Sequence, residues 1–115
     1  MESYLQKSLD EWKEEISEVL DAVEKEYEEV KQDLKVYSYK YGITKQVIQS
    51  TVNDEIINHI RQLYHKPFEE KYQELKDYMR ELDEKRKVFQ MFVHKIDEVK
   101  RKETNPVATH AVQTF

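Results

Sequence analysis

The stretch VYSYKYGITKQV, residues 36–47, contains the only glycine in 115 residues and three tyrosines at alternating positions before it. Alternation is typical of a strand, yet Tyr37 and Tyr41 also continue a helical stripe of apolar residues that begins at Leu5. A three-residue alternation does not outweigh a stripe of that length. We therefore predict that the stretch ends one long helix and begins another.

Gly42 stands where a helix C-cap favours a residue that tolerates positive φ, and Ile43 can supply the apolar contact that often follows. We predict a first helix over about 3–41 and a turn over about 42–44, with Tyr39 and Tyr41 beside it. The second helix is predicted over about 45–66, with Thr44 as its N-cap. Alternatively, Thr51 caps it, with Asp54 three residues later in a capping-box arrangement.

Composition favours long helices over a rounded globule. Apolar residues make up 38% of the chain and charged residues 37%, which is too polar for one compact core at this length. Helices with a narrow apolar stripe and a wide charged face match this balance. We predict an all-α fold, an elongated antiparallel helical hairpin with coiled-coil-like packing over residues 1–103. Residues 104–115 lose both charge and periodicity and are predicted to be a flexible tail.

Pro67 interrupts the second arm of this hairpin. A proline removes a backbone donor and crowds the preceding turn, so the helix must kink or break there. The sequence nearby lacks the residues that build a sharp reversal. We therefore predict a kink at Pro67 followed by a helix over about 68–102, with a three-helix bundle that folds back at Pro67 as the alternative.

The helix after Pro67 carries a regular heptad seam, which requires a facing helix. If the chain turns at Gly42, Leu5 lies opposite about Arg80, and residues 81–102 extend beyond the first helix without cover. Such an overhang predicts that the chain binds another protein or a second copy of itself as a dimer. The predicted partner-binding residues are Trp12, Leu82, Arg86, Phe89, Phe92, Val93, Ile96 and Val99.

Charge is distributed unevenly along the chain. Residues 1–34 hold 12 acidic and 4 basic side chains, whereas the segment 85–102 holds 7 basic and 2 acidic ones. Opposite charges of this kind set register and partner choice. The two segments are expected to lie together, either between chains or through a later turn at Thr51.

Sequence motifs of catalysis are lacking, so we predict a non-enzymatic protein without a cofactor. The leading hypothesis is a helical protein–protein interaction module that acts as an adaptor, accessory factor or chaperone for a larger partner. Glu55 and His59 lie four residues apart on a helix and could share a metal, with His65 further along the chain. An ordinary surface pair of Glu55 and His59 is the simpler interpretation. No cysteine is present to supply a thiolate ligand.

The sequence also bears on binding to nucleic acid and to membranes. Lysines among the tyrosines of residues 35–45 suggest a nucleic-acid-binding or regulatory factor as the alternative function, although the net charge of −5 opposes it. No apolar run approaches the roughly 20 residues that span a bilayer, so we expect no membrane contact. The N-terminal stretch MESYLQKSLDEW does not resemble a signal peptide, and we expect a cytoplasmic protein.

Overall fold

The computed structural model describes residues 2–104, and these residues form helices joined by one short turn, without a strand. The predicted tail lies outside the described residues, except for Thr104, which is the last residue of α3. The helices follow in the order α1 (Ser3–Gln49), α2 (Asp54–Ile60), a π-helix (Arg61–His65) and α3 (Lys66–Thr104).

Helix α1 continues through Gly42, so the predicted turn at 42–44 is wrong. Gly42 does not adopt a positive φ, and Thr44 is buried on the inner side of the helix. A glycine inside a helix costs about 1 kcal/mol relative to alanine. Since the apolar stripe continues beyond Gly42 to Ile48, the packing of about two further helical turns, up to Gln49, outweighs that cost.

The chain reverses after Gln49, and Asn53 begins the next helix. The Asn53 side chain accepts hydrogen bonds from the backbone N–H groups of Glu55 at 3.0 Å and Ile56 at 3.2 Å. Neither Thr44 nor Thr51 is the N-cap: the Thr51 hydroxyl instead donates to the carbonyl of Val47 at 2.6 Å. The second helix therefore begins at residue 54 rather than 45, because Asn53 satisfies the free N–H groups of its first turn.

Pro67 is accommodated by a wide helical turn placed just before it. The N–H of Lys66 bonds to the carbonyl of Arg61, five residues earlier, and Lys66 keeps right-handed helical dihedrals. Proline provides no N–H and its ring crowds the carbonyl four residues before it, and a π-turn relieves both problems. The backbone is thus helical from residue 54 to 104, and the alternative of a three-helix bundle with a reversal at Pro67 is wrong.

The chain divides into two compact units. Within the described residues, unit 1 comprises residues 2–24 and 84–104, and unit 2 comprises residues 25–83. Each unit therefore contains one part of α1 and one part of α3, while unit 2 also contains the turn, α2 and the π-helix. Each unit has a thin core, as expected where two helices meet along one seam. The buried apolar residues are Val23 and Ile96 in unit 1 and Val30, Leu75 and Leu82 in unit 2.

In unit 2 the two arms pack as an antiparallel helical hairpin, which confirms the predicted fold class. The rings of Tyr37 and Phe68 meet edge to face with centroids 6.1 Å apart. Closer to the turn, Tyr41 stacks on His65 at 4.7 Å. The buried Thr44 hydroxyl lies 2.7 Å from Nδ1 of His65 and donates to the carbonyl of Tyr41 at 2.9 Å. The π-helix thus presents His65 to α1, where its ring nitrogen finds a polar partner.

In unit 1 the beginning of α1 lies antiparallel to the end of α3. Trp12 meets Phe92, and the Lys13 ammonium lies 2.6 Å from the Asp97 carboxylate. The predicted overhang of residues 81–102 is therefore wrong. When the turn lies later in the chain, each residue of α1 faces a residue of α3 that is further along the chain by twice the displacement of the turn. The end of α3 is covered on its seam side by the chain's own first helix.

Candidate partner-binding surface

The heptad seam of α3 faces α1 of the same chain. Leu82 and Ile96 are buried, and Arg86, Phe89 and Val93 are half-buried. A heptad seam needs a facing helix, and here the chain supplies it. The structure thus places these five predicted partner-binding residues in intramolecular packing, and their contact with a partner remains a prediction.

The other three predicted residues lie at an apolar groove on the surface of unit 1, whose lining also includes the buried Ile96 of the seam. Trp12 comes from α1, and Phe92 and Val99 come from α3, on the side of the helix next to the seam. The groove has a volume of about 380 Å³. Trp12 is 44% exposed and Val99 46% exposed, so both are available to another molecule. The residues that line the groove are Leu9, Trp12, Val88, Met91, Phe92, Lys95, Ile96 and Val99.

Aromatic contacts hold the floor of this groove in place. The ring of Phe92 meets the indole of Trp12 edge to face, with centroids 6.0 Å apart and an interplanar angle of 66°. Phe92 also contacts Phe89, at 5.8 Å between centroids. Edge-to-face pairs of this kind add to the stability obtained from burial alone. The groove is therefore a preformed surface whose aromatic side chains support each other.

Sequence reasoning missed Val88 and Met91, which are 48% and 59% exposed and line the groove. The sequence feature that could have revealed the groove is a second apolar stripe beside the heptad. Val88, Phe92 and Val99 recur at helical spacing, each one residue before a heptad position. Apolar residues immediately outside a heptad widen the apolar face beyond what a single facing helix covers.

Ion pairs surround the seam of unit 1. Lys13 pairs with Asp97, and Lys100 pairs with Asp10. The acidic first arm and the basic end of α3 therefore do lie together, and they do so within one chain through the later turn. Partly exposed pairs of this kind stabilise little, but they favour this register over others.

Glu98 is held by two lysines on its own helix. Lys102 donates to its carboxylate at 3.0 Å and Lys95 at 3.4 Å. The hydrogen bond from Lys102, followed by that from Lys95, keeps the pKa of Glu98 below its usual value. Lys95 also lines the groove. Its hydrogen bond to the carboxylate of Glu98 therefore holds the positive charge of Lys95 at the edge of the groove.

The tyrosines of the predicted turn separate into two groups. Tyr37 and Tyr41 are half-buried against Phe68 and His65. Tyr39 points away from the hairpin and is 65% exposed. Single-stranded nucleic acid is bound by several accessible rings in a row, whereas here two of the three rings are engaged within unit 2.

A metal-binding cluster and a membrane-spanning helix are both absent from the described part of the chain. Within it, no group of three or more His, Cys, Asp or Glu side chains is placed to hold a metal ion. Among residues 2–104, no helix combines the length and the apolarity needed to cross a membrane. Comparison with known protein families, curated proteins and solved structures finds no match to this chain.

Proposed function

We propose that this protein is a non-enzymatic helical interaction module whose unit 1 groove binds a helix of a larger partner protein. The observation that supports this proposal is the contiguous apolar surface formed by Trp12, Val88, Met91, Phe92 and Val99. The module acts as an adaptor, accessory factor or chaperone for that partner. A cytoplasmic location remains part of the same proposal.

The exposed groove supports binding on energetic grounds. Two helices that meet along one seam cover only the inward side of each, and this groove lies just outside the seam. Full burial of one large apolar side chain stabilises a complex by about 1.5–3 kcal/mol. Met91, Phe92 and Trp12 are bulky enough to supply most of the affinity of such a contact, because interface energy concentrates in a few central side chains.

A helix is the partner element that fits a groove of this kind best. The groove runs between two helices, and an amphipathic helix can place its apolar side chains there at spacings of three and four residues. Of the heptad residues, only Ile96 lines the groove, and it is buried there, so this binding mode leaves the seam against α1 in place. It therefore replaces the overhang as the basis for expecting a partner.

The test uses substitutions that change the groove and leave the seam intact. Full-length wild-type protein, the double variant Met91→Glu with Val99→Glu, and the control Val52→Glu are immobilised and exposed to extract from the native source. Val52 is 98% exposed in the turn, so it is a matched surface substitution outside unit 1. A protein retained by wild type and by the control, but lost from the double variant, is then purified and its affinity measured by calorimetry.

We expect the double variant to bind the purified partner at least about tenfold more weakly, because two charges would have to be buried in an apolar contact. Equal affinity of wild type and double variant for every retained protein would refute the groove as the binding surface.

A further inference from the structure

A second apolar surface lies on α1 within unit 2, on the side turned away from α3. Its members recur at spacings of three, four and four residues, which places them on one face of the helix. Tyr39 is 65% exposed and Ile43 is 58% exposed. The seam does not use these side chains. The surface, here named the outer stripe, consists of Val36, Tyr39, Ile43 and Val47.

Gly42 opens a recess in the outer stripe. A Cβ added at this position would meet nothing within 4 Å. The recess is part of a shallow cavity of about 330 Å³ that Gly42 lines together with Tyr39 and Ile43. A helical glycine costs about 1 kcal/mol relative to alanine, and a missing side chain allows another backbone or a bulky side chain to approach closely.

Lysines border the outer stripe. The segment from residue 31 to residue 47 contains four lysines and one aspartate, which gives a net charge of +3. Lys35 and Lys40 line a cavity of about 440 Å³ together with Val36, Tyr39 and Ile43. The Lys40 ammonium also lies 5.0 Å from the centre of the Tyr37 ring, which holds it close to the helix surface.

The positive charge beside the outer stripe indicates which kind of molecule can bind there. A second copy paired stripe to stripe would bring the lysines of both copies together, and like charges at an interface oppose association. A nucleic-acid strand would find one accessible ring, Tyr39, among aliphatic side chains that offer no stacking surface. A helix with apolar residues on one face and carboxylates beside them matches both the stripe and its border.

We propose that the outer stripe binds an acidic amphipathic helix of another protein, with a bulky apolar side chain of that helix seated over Gly42. The lysines at the border pair with carboxylates of the incoming helix. This surface lies in unit 2 and is independent of the groove in unit 1. The protein would then present two helix-binding surfaces, one in each unit.

The test uses a designed peptide of 18 residues, with leucines at positions that follow the stripe spacing and glutamates beside them. The matched control peptide carries lysine in place of each glutamate. Binding of each labelled peptide to the full-length protein is measured by fluorescence anisotropy at low and moderate salt. We expect the acidic peptide to bind at least about tenfold more tightly than the basic one, and its affinity to fall as salt rises.

Three variants locate the contact. Lys35→Glu with Lys40→Glu reverses the border charge, Ile43→Ser removes an apolar contact, and Gly42→Leu fills the recess. Each variant is expected to bind the acidic peptide about tenfold more weakly than wild type, or weaker still. The turn variant Val52→Glu is expected to bind it like wild type. Ile43→Ser keeps the test informative if the lysine substitutions disturb the packing of Lys40 on Tyr37, and circular dichroism verifies helicity.

Three results would overturn the proposal. The first is equal affinity for both peptides. The second is wild-type protein that sediments as a dimer and becomes monomeric with Ile43→Ser, which would assign the stripe to a second copy. The third is binding to a single-stranded oligonucleotide or to anionic lipid vesicles that competes with the peptide and is lost with Ile43→Ser.

Discussion

Gly42 shows how one residue can be compatible with either a turn or a helix. Its missing side chain suits a C-cap, but it lies in the interior of α1 with a negative φ. The space around its Cα is open, so an added methyl group meets no atom. Glycine here therefore increases the entropy of the unfolded chain without meeting a conformational requirement of the folded one.

Replacing Gly42 by alanine is expected to stabilise the protein by about 0.5–1 kcal/mol, because alanine restricts the unfolded chain and favours the helix. Urea unfolding followed by circular dichroism measures the change. Ser38→Ala, on the same helix, is the comparison for an exposed substitution that does not replace glycine. A loss of stability on Gly42→Ala would mean that the backbone at this position needs a conformation closed to alanine.

Glu98 makes the stability of the folded protein depend on pH in the acidic range. Its folded pKa is lowered by its hydrogen bonds to Lys102 and Lys95, so the folded state binds the proton less readily than the unfolded state. The resulting stabilisation is complete above the ordinary glutamate pKa of about 4.3, and it is lost as the pH falls through the lowered folded value.

Glu98→Gln is therefore expected to be less stable than wild type at pH 7, and the difference is expected to shrink as the pH falls below about 4. Thermal melting at pH 7 and at pH 3 measures both quantities. Glu103→Gln, at an exposed position of the same helix end, is the control. A difference that stays constant over this range would show that the lysine contacts do not favour the ionised carboxylate.

At the scale of the elements, Asn53 determines where the second arm of the hairpin begins. Its side-chain oxygen accepts from two backbone N–H groups at the start of α2. The short α2 of seven residues leads directly into the π-helix, so its first turn receives support from this cap more than from its length. Short helices are marginal without such contacts.

Asn53→Ala is expected to cost about 1 kcal/mol of unfolding free energy, because two backbone donors lose their acceptor. Chemical denaturation measures the loss. Asn53→Asp keeps a capping oxygen and is expected to stay close to wild type. If alanine and aspartate at this position were equally stable, the cap would not support α2.

The π-helix is the second element-scale feature. It adds one residue to a helical turn just before Pro67, and this changes the face on which the following residues lie. His65 is thereby directed toward Tyr41 and Thr44. A proline that interrupts the hydrogen-bond pattern of a helix is thus compatible with an uninterrupted second arm.

At the scale of the whole chain, register decides which apolar side chains are covered. With the turn at residues 50–53, Phe89 and Val93 belong to the intramolecular seam, whereas Met91 and Val99 stay exposed. Substitutions in the seam are therefore expected to affect folding, whereas substitutions of the exposed groove residues are expected to affect binding.

The double variant Phe89→Asp with Val93→Asp is expected to lower the melting temperature by about 10 °C or more, because it places two charges in the seam. Met91→Glu with Val99→Glu is expected to change stability by less than about 0.5 kcal/mol. Thermal melting compares them at one protein concentration. If the seam variant melted like wild type and only changed its sedimentation mass, the seam would be an interface between chains.

Much of the fold could be predicted from residues 5–37 and 68–99, where apolar side chains recur at helical spacing and few residues disturb it. The helical hairpin and a disturbance of the helical hydrogen bonds near Pro67 follow from local preferences of this kind. The position of the turn could not be predicted, because Gly42 is a stronger local signal than Asn53. The groove was predicted in part, through Trp12, Phe92, Ile96 and Val99. The rest was missed because side chains beside a heptad are not assigned to a face until the register is known.

The sequence by itself determined that this chain is helical and that each arm carries an apolar stripe. It also determined that the chain has an acidic segment and a basic segment that can pair. Only the tertiary structure decided where the chain reverses, and with it the register, the covered seam and the two exposed apolar surfaces. The physical reason lies in the energies involved. A single glycine or cap changes stability by about 1 kcal/mol, whereas the seam sums contacts along both arms. The chain therefore turns where that sum is largest and accepts an unfavourable residue inside α1.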